Sequence, residues 1–272
     1  MTTLDTQAFH RFEHAGWETA ARAYHESWTA LTMQAVAPLL DAAHVGRGTR
    51  LLDVATGPGH VAGLAAERGA SAVGVDFAAA MLTLAREQYP YVQFGEGDAT
   101  ALPFPSLSFD AVVSNFGILH FARPEIALGE AYRVLRPSGR VAFTTWATTA
   151  EAVGLKLIYD AIEQYGNLNA PLPPGPPFFR FSDPEQCRLV LRETGFVNPH
   201  VEQVAMRWRL PLPDGLFDAF FFGTARTGPL LSAQSPEARG AIREAVREAS
   251  RAFAHGDHID VAMPCVLASG AK

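Results

Sequence analysis

The sequence predicts an α/β fold, a doubly wound and mostly parallel sheet with helices on both faces. Five short apolar runs between residues 50 and 147 alternate with segments of helical periodicity that end in Gly or Pro, which is the pattern of βαβ units. A glycine turn, "TGPGH", follows the first apolar run and leads into the first of these helices. Because ligands of open parallel sheets lie outside the carboxyl ends of the strands, this turn also marks the predicted site.

Charge and apolar content limit the class of partner. The 272 residues include 22 Lys+Arg against 28 Asp+Glu, a net charge of -6, with no basic run that could follow a phosphate backbone, so we expect no nucleic-acid partner. No segment approaches the ~18 uninterrupted apolar residues of a membrane span. Cys187 and Cys265 stand far apart without metal-ligand spacing, and the first residues lack the order of a signal peptide. We therefore expect a cytoplasmic protein with no metal site and no membrane span.

Helices are predicted before the sheet, and its strands then follow in order. Residues 8–43 place Trp17, Ala21, Tyr24 and Trp28 at three- and four-residue spacings, typical of an amphipathic helix in two pieces. A helix near 124–135 ends at "RPSGR", where proline cannot continue it. The strands are expected within residues 50–55, 71–77, 91–99, 109–117 and 140–147.

The alternation loosens beyond residue 148. A helix is expected at 150–165, followed by "NAPLPPGPPFFRFSD", which is too proline-rich for regular structure and too aromatic for a disordered linker, and which we interpret as an ordered covering loop. "HVEQVAMRWRL" is predicted to be one strand, and "IDVAMPCVLASG" the last strand. The expected regions are N-terminal helices over the site (1–43), the ligand-binding core (44–148), a cap over the site (149–258) and a last core strand (259–272).

The glycine turn alone leaves several ligands open. Gly57 and Gly59 let a ligand approach bare backbone at a helix start. "GPGHVA" also fits the dinucleotide pattern, so a nicotinamide cofactor and a turn with no ligand both remain alternatives at this point. Asp98 after the third strand and Asn115 at the end of the fourth have no evident use in a dehydrogenase. Polar residues at four strand ends indicate an elongated ligand with a sugar and a base.

Four segments between residues 48 and 147 form one pattern: "LLDVATGPG", "GVDF", "EGDATALPFPSLSFDAVVSNFGILHF" and "RVLRPSGRVAF". They resemble the class I S-adenosylmethionine-dependent methyltransferases, within them the ubiquinone/menaquinone C-methyltransferase branch. The resemblance implies a Rossmann-like methyltransferase fold of seven strands, S-adenosyl-L-methionine as cofactor and S-adenosyl-L-homocysteine as product. One departure is His60, which stands where many members carry a small residue.

The same resemblance implies roles for individual residues. Gly57 and Gly59 lie close to the methionine part of the cofactor, and Asp76 binds both ribose hydroxyls. Asp98 and Ala99 contact the adenine, and Met81 packs on the adenine ring. The N-terminal helix lies over the cofactor, so Tyr24 reaches the carboxylate end, with core packing as the alternative. Asp53 either holds the ammonium group or only caps the strand. The remaining cofactor residues expected here are Pro58, Phe77, Gly97, Asn115 and Phe116.

Catalytic and acceptor residues are predicted from chemistry and composition. Methyl transfer needs alignment more than an obligatory catalytic group. His25 and His120 are candidate bases because imidazole titrates near neutrality, with packing as the alternative for His120. Aromatic residues outside the cofactor motifs indicate a lid over an apolar acceptor pocket; a homodimer interface or a second core is the alternative. The acceptor residues are expected to be Trp28, His120, Trp146, Phe178, Phe179 and Phe181.

These observations favour methyl transfer to a small, partly apolar or aromatic metabolite at carbon, oxygen or nitrogen. Quinone-like or natural-product acceptors suit the aromatic cap. The alternatives that remain are an NAD(P)-dependent oxidoreductase that uses the same glycine turn and a non-catalytic S-adenosylmethionine-binding protein.

Overall fold

The computed structural model describes residues 5–272, so the first four residues of the expected N-terminal region lie outside the described part of the chain. The strands are β1 (Arg50–Val54), β2 (Ser71–Asp76), β3 (Gln93–Glu96), β4 (Phe109–Asn115), β5 (Leu135–Trp146), β6 (Val197–Val204), β7 (Arg207–Pro211), β8 (Ala254–His255), β9 (His258–Ala262) and β10 (Cys265–Ala271). The helices are α1 (Thr6–Thr32), α2 (Val36–Ala42), α3 (His60–Glu67), α4 (Ala79–Gln88), α5 (Pro124–Val134), α6 (Val153–Tyr165), α7 (Pro184–Glu193), α8 (Gly215–Gly223), α9 (Thr227–Ser232) and α10 (Pro236–Ser250).

A seven-stranded sheet forms the centre, in the order β3-β2-β1-β4-β5-β10-β6. Strands β1 to β5 pair in parallel, while β10 runs antiparallel to both β5 and β6. The strand order reverses between β1 and β4, and such a switch point opens a crevice at the carboxyl edge of a parallel sheet. The predicted doubly wound, mostly parallel sheet is confirmed.

Burial on both faces explains why the core strands are continuous apolar runs. On β1, Leu52 belongs to the hydrophobic cluster that includes Leu128 of α5, while its neighbour Leu51 belongs to the cluster on the other face that includes Leu39 of α2 and Val61 of α3. Both β1 leucines are fully buried. Parallel strands covered by helices on both faces lack the in-out alternation of a half-exposed strand. They therefore appear in the sequence as continuous apolar runs.

The division between core and cap differs from the sequence prediction. "HVEQVAMRWRL" forms two strands, because β6 joins the edge of the main sheet while β7 pairs with β9 in a separate three-stranded sheet. The expected cap at 149–258 therefore contains the core elements α7 and β6. The expected last strand at 259–272 likewise begins in β9. Alternating apolar residues indicate a buried face but do not specify which sheet the strand joins.

The cap builds a second hydrophobic core against α1. The Trp28 indole nitrogen donates to the carbonyl of Ala219 in α8 at 3.0 Å, and the Trp208 indole nitrogen of β7 donates to the carbonyl of Ser27 at 3.1 Å. The two indole rings lie 4.2 Å apart, and Phe220 packs edge-on against Trp28 at 5.0 Å. The C-terminal half of α1 is thus held by the cap.

A carboxylate of α1 also caps another helix. Helix α4 has no side-chain cap of its own, since its N-cap residue is Ala78. The Glu18 carboxylate accepts from the backbone nitrogens of Ala79 at 2.5 Å and Ala80 at 3.2 Å. It satisfies two of the unpaired donors at that helix start and complements the helix dipole. Helix α1 is therefore fixed to α4 next to the second strand end.

No helix within residues 5–272 has both the length and the apolar character that crossing a bilayer requires.

We expect Glu18→Gln to lower the free energy of unfolding by about 1 kcal/mol, because an amide has one acceptor oxygen and no charge for the α4 terminus. Urea unfolding followed by circular dichroism measures the change. Glu26→Gln, on the exposed face of the same helix, is the matched control and should change stability by less than about 0.5 kcal/mol. Equal losses in both variants would contradict the proposed cap.

Candidate functional site

A cavity of about 340 Å³ lies at the carboxyl edge of the sheet, beneath α1 and beside the cap. It follows the switch point between β1 and β4, where a parallel sheet is open. Most of the predicted site residues line it. They are Tyr24, Trp28, Gly57, Pro58, Asp76, Phe77, Met81, Gly97, Asp98, Ala99, Asn115, Phe116, His120, Trp146 and Phe178.

The two glycines of the turn have different roles. Both adopt left-handed backbone, with φ of 53° at Gly57 and 84° at Gly59. A Cβ at Gly57 would come near only the Met81 sulfur, at 4.0 Å, whereas a Cβ at Gly59 would lie 2.8 Å from the Phe94 ring. Gly57 therefore presents bare backbone to the cavity. Gly59 does not line it, so its predicted cofactor contact is replaced by close packing of α3 on β3.

Asp76 supplies the buried acceptor of the site. Its carboxylate accepts from the backbone nitrogens of Gly57 at 2.8 Å and Ala78 at 3.0 Å, and the residue is 5% exposed. Burial raises the pKa of Asp76 to about 6, and no Lys or Arg of residues 5–272 forms an ion pair with it. A carboxylate has about four lone-pair positions, so two remain for ligand hydroxyls. This geometry fits the ribose of the expected cofactor.

Asp53 stabilises the glycine turn from the protein interior. It is fully buried and does not line the cavity. One oxygen accepts from the Thr56 hydroxyl at 2.5 Å and from the Ala62 backbone nitrogen at 3.2 Å, tying β1 to the first turn of α3. Burial raises the pKa of Asp53 to about 7. The structure thus favours the strand-end cap over the predicted contact with an ammonium group, because the loop after β1 covers this side chain.

Asp98 lies at the mouth of the cavity. One of its oxygens accepts from the Thr100 backbone nitrogen at 2.7 Å and from the Thr100 hydroxyl at 2.8 Å. The other lies 4.0 Å from the His10 imidazole, and the side chain is 40% exposed. His10 in turn packs edge-on against Phe77 at 5.4 Å. The second carboxylate oxygen can therefore accept from a ligand amine at the cavity mouth.

Strand β4 ends at Asn115, and the residue after it, Phe116, has a left-handed backbone. The Asn115 amide donates to the Thr32 carbonyl at 3.2 Å and accepts from the Thr144 hydroxyl at 2.6 Å, so both of its functions hold α1 and β5 together. Phe116 has φ of 57° and stacks on Trp146 at 4.0 Å. Non-glycine residues with positive φ cluster at functional sites. The turn residue Ala55, with φ of 56°, also lines the cavity.

The structure gives His60 a role, and it places His25, one of the two predicted bases, outside the cavity. His60 Nδ1 lies 3.0 Å from the Tyr89 hydroxyl, and its Nε2 lies 3.1 Å from the hydroxyl of Thr29 on α1. Burial lowers the pKa of His60 to about 4, so the ring is neutral. His25 approaches the same threonine at 3.3 Å and does not line the cavity, because its position on α1 directs it toward α3. These contacts fasten the glycine turn to α1 and α4.

His120 belongs to a buried ionic group that the sequence did not reveal. Its Nδ1 lies 2.9 Å from a carboxylate oxygen of Glu13, which is fully buried in α1. The other Glu13 oxygen lies 3.5 Å from Nε of Arg226. Glu13 stands four residues before Trp17 on the apolar side of α1, and a charged residue in that stripe was the available signal.

The aromatic residues of the proline-rich segment pack in different parts of the structure. Phe178 lines the cavity, and the Arg226 guanidinium lies 5.1 Å above its ring. Phe179 instead packs against Tyr159 at 5.9 Å, and Phe181 is buried against Phe143 at 6.0 Å. Phe179 and Phe181 are therefore corrected as acceptor residues, because a short helical turn from residue 180 to 182 directs neighbouring side chains to different cores.

Comparison with known sequences identifies relatives of the core. A family model described as "Methyltransferase domain" matches residues 52–143. Demethylmenaquinone methyltransferase of Thermus thermophilus is 52% identical over 98 residues, covering 34% of this chain and 44% of the relative. The enzyme of the same name from Deinococcus radiodurans is 35% identical over 163 residues, covering 54% and 67%. This chain spans 44% of the length of the Thermus thermophilus relative. It spans the same share of the demethylmenaquinone methyltransferase of Renibacterium salmoninarum, which is less than half of either protein.

Solved structures share the fold at low identity. A SAM-dependent methyltransferase from Thermotoga maritima has a TM-score of 0.56 at 19% identity, covering 96% of this chain and 99% of the other. Phosphoethanolamine N-methyltransferase 2 of Haemonchus contortus, in complex with S-adenosyl-L-methionine, gives 0.55 at 20% identity, covering 96% and 59%. A [4+2]-cyclase gives 0.52 at 20% identity, covering 90% and 83%. These likenesses establish the fold, which by itself does not determine the reaction.

Alanine substitutions should separate the two glycines. Gly57→Ala should cost about 1 kcal/mol of stability, for the left-handed backbone alone, but should place a methyl group in the cavity and weaken binding of S-adenosylhomocysteine. Gly59→Ala should cost roughly 2–4 kcal/mol, because the clash with Phe94 adds to that strain. Chemical unfolding and isothermal titration calorimetry measure the two effects. A stable Gly59→Ala protein would contradict the packing role.

Proposed function

This chain belongs to the class I S-adenosylmethionine-dependent methyltransferases, and on that basis we propose that it transfers a methyl group from S-adenosylmethionine to a small aromatic, quinone-like acceptor. The observation that carries the proposal is the division of one cavity into two chemical halves. Polar groups of strand ends line one half, and aromatic side chains of α1 and the cap line the other.

The polar half suits the nucleoside of the cofactor. Asp76 has two acceptor positions left for the ribose hydroxyls, and Gly57 leaves the backbone beside it uncovered. Met81 is buried at the cavity wall, where a thioether packs well on an aromatic base. Asp98 at the mouth has a free oxygen for the adenine amine. When bound, S-adenosylmethionine supplies an electrophilic methyl group on a positively charged sulfur.

Tyr24 lies at the junction of the two halves. Its ring packs edge-on against Trp17 at 5.2 Å and parallel to Trp28 at 6.3 Å. Burial raises the pKa of Tyr24 to about 12, so the phenol remains protonated and can donate to the carboxylate of the cofactor. Aromatic faces around the sulfur would also attract its positive charge.

The aromatic half defines the acceptor class. Trp17, His120 and Phe178 line the cavity in succession, each ring packed edge-on against the next, and aromatic side chains of this kind suit an aromatic acceptor. The curated relatives named demethylmenaquinone methyltransferase point to a quinone-type ring as well. Since the family model ends at residue 143, before the cap, the acceptor class rests on the lining of the cavity more than on the relatives. Holding donor and acceptor in line can lower the barrier by ~7–11 kcal/mol.

Two measurements test the function. S-adenosylhomocysteine should raise the melting temperature, whereas NAD should not. Methyl-labelled S-adenosylmethionine should then transfer label to quinols or phenols in preference to aliphatic amines. Stabilisation by NAD alone would support an oxidoreductase, and cofactor binding without transfer to any acceptor of the panel would support a non-catalytic binding protein. Either result would overturn the proposal.

We also propose that the enzyme works in the cytoplasm. Cys187 and Cys265 are both free and buried, and burial raises the pKa of each thiol to about 12. A chain that keeps its thiols unpaired suits a reducing compartment. Fractionation of cells that produce the protein would test this location.

Affinity for S-adenosylhomocysteine should fall as pH drops below about 6. The raised pKa means that Asp76 is protonated at lower pH in the free protein, and a protonated carboxyl offers fewer acceptor positions to the ribose. The hydroxyls favour the ionised form, so binding releases a proton near pH 6, and affinity decreases by up to about tenfold per pH unit below it. Calorimetry in buffers of different ionisation enthalpy measures the release. Asp76→Asn should bind weakly and without this proton release.

A further inference from the structure

Glu13 is a fully buried carboxylate whose two oxygens have different partners. One lies 2.9 Å from Nδ1 of His120 and the other 3.5 Å from Nε of Arg226. An arginine remains protonated and can only donate, so the nearer Glu13 oxygen faces a permanent positive charge. A buried carboxylate is tolerated when it is paired in this way. Glu13 is therefore held as an ionised acceptor.

This arrangement fixes the proton on His120. An ionised carboxylate can only accept, so Nδ1 carries a hydrogen, and Nε2 keeps its lone pair whenever the ring is neutral. Nε2 has no hydrogen-bond partner among residues 5–272, and the ring lines the cavity between Trp17 at 4.9 Å and Phe178 at 6.4 Å. The His120 ring, with Nε2 unpaired, thus lines the aromatic half of the cavity.

We propose that Glu13 is a positioning residue that holds His120 as the general base for a hydroxyl-bearing aromatic acceptor, a phenol or quinol. This inference rests on the proposed function. The acceptor O–H bond breaks and its proton bonds to Nε2 of His120. A bond forms between the methyl carbon and the acceptor, at the oxygen or at a conjugated ring carbon. The carbon–sulfur bond of the donor breaks and its electron pair stays on sulfur. When the new bond is at the oxygen, the proton then passes from Nε2 to water. When it is at a ring carbon, that carbon loses its own hydrogen as a proton to water and the proton on Nε2 returns to the oxygen, which restores the aromatic hydroxyl.

Arg226 links the pairing of Glu13, and through it the state of His120, to the position of the cap. Its guanidinium donates to the carbonyls of Leu119, after β4, and Pro176, in the proline-rich loop, each at 3.3 Å. It also lies 5.1 Å above the ring of Phe9 on α1. The cap, the loop and α1 must therefore all be in place before Glu13 is paired. This couples assembly of the acceptor pocket to the correct state of His120.

Glu13→Gln is the decisive variant. The single oxygen of glutamine is expected to face the positive charge of Arg226, which would repel an NH₂ group, so the NH₂ group faces His120 Nδ1. That nitrogen then has to accept, and the hydrogen moves to Nε2, which can no longer take a proton from the acceptor. We expect ¹⁵N spectra of histidine-labelled protein to show this exchange of tautomers. The value of kcat should fall by about 10²–10⁴-fold, the usual contribution of a general base, while KM for S-adenosylmethionine changes by less than about twofold.

Three controls make the result specific. His120→Asn assigns the imidazole resonance by its loss, and should be at least as inactive as Glu13→Gln. Glu26→Gln removes a carboxylate from the exposed face of α1 and should leave kcat and the His120 tautomer unchanged. The tautomer of the unmodified protein is informative even if Glu13→Gln folds poorly, since a hydrogen on Nε2 there would overturn the proposal.

The failure of this inference is distinguishable from failure of the proposed function. Methyl transfer to a phenol by the unmodified protein, with kcat preserved in a folded Glu13→Gln protein, would overturn the positioning role and leave the function standing. Absence of both S-adenosylhomocysteine binding and methyl transfer in the unmodified protein would overturn the function itself.

Discussion

Helix α1 lies across the open carboxyl edge of the sheet, and its docking is the constraint on which the site depends. A parallel sheet leaves a crevice at its switch point, and the crevice becomes a cavity only when another element covers it. Polar side chains fix the cover at several points: Glu18 caps α4, Thr29 meets His60, and Glu13 meets His120. The Trp28 indole joins the same helix to the cap. One helix therefore sets the shape of both halves of the cavity.

The two halves arise from different kinds of structure. The polar half is built from strand ends and left-handed turns, where Gly57 exposes backbone and Asp76 is oriented by backbone nitrogens. Its geometry follows from the sheet, and these residues lie within the range 52–143 that the family model matches. Apart from His120, the aromatic half depends on side chains of α1 and the cap, which lie outside residues 52–143. A core of this kind can therefore keep its polar half while the other half changes.

Buried ionisable groups are concentrated where α1 meets the sheet. Burial raises the pKa of Asp53 and Asp76, and it lowers the pKa of His60, so each of these groups is shifted toward its neutral form. Only Glu13 among the buried carboxylates has an arginine partner within residues 5–272. A neutral, desolvated surrounding strengthens the interactions of any charge that a bound ligand brings in. The pairing of Glu13 with Arg226 is the exception that preserves a fixed negative charge.

The sequence by itself determined the order of β1 to β5, the glycine turn and the set of strand-end residues that line the cavity, because apolar periodicity and turn residues act over a few neighbouring positions. Only the tertiary structure decided the rest. The contact between Glu13 and His120 joins residues 107 positions apart, and no local pattern specifies such a pairing. The direction of a side chain is a second example. His25 points away from the cavity, and Phe178 lines the cavity while Phe181 packs against Phe143. Both depend on how elements pack, which is a property of the whole chain.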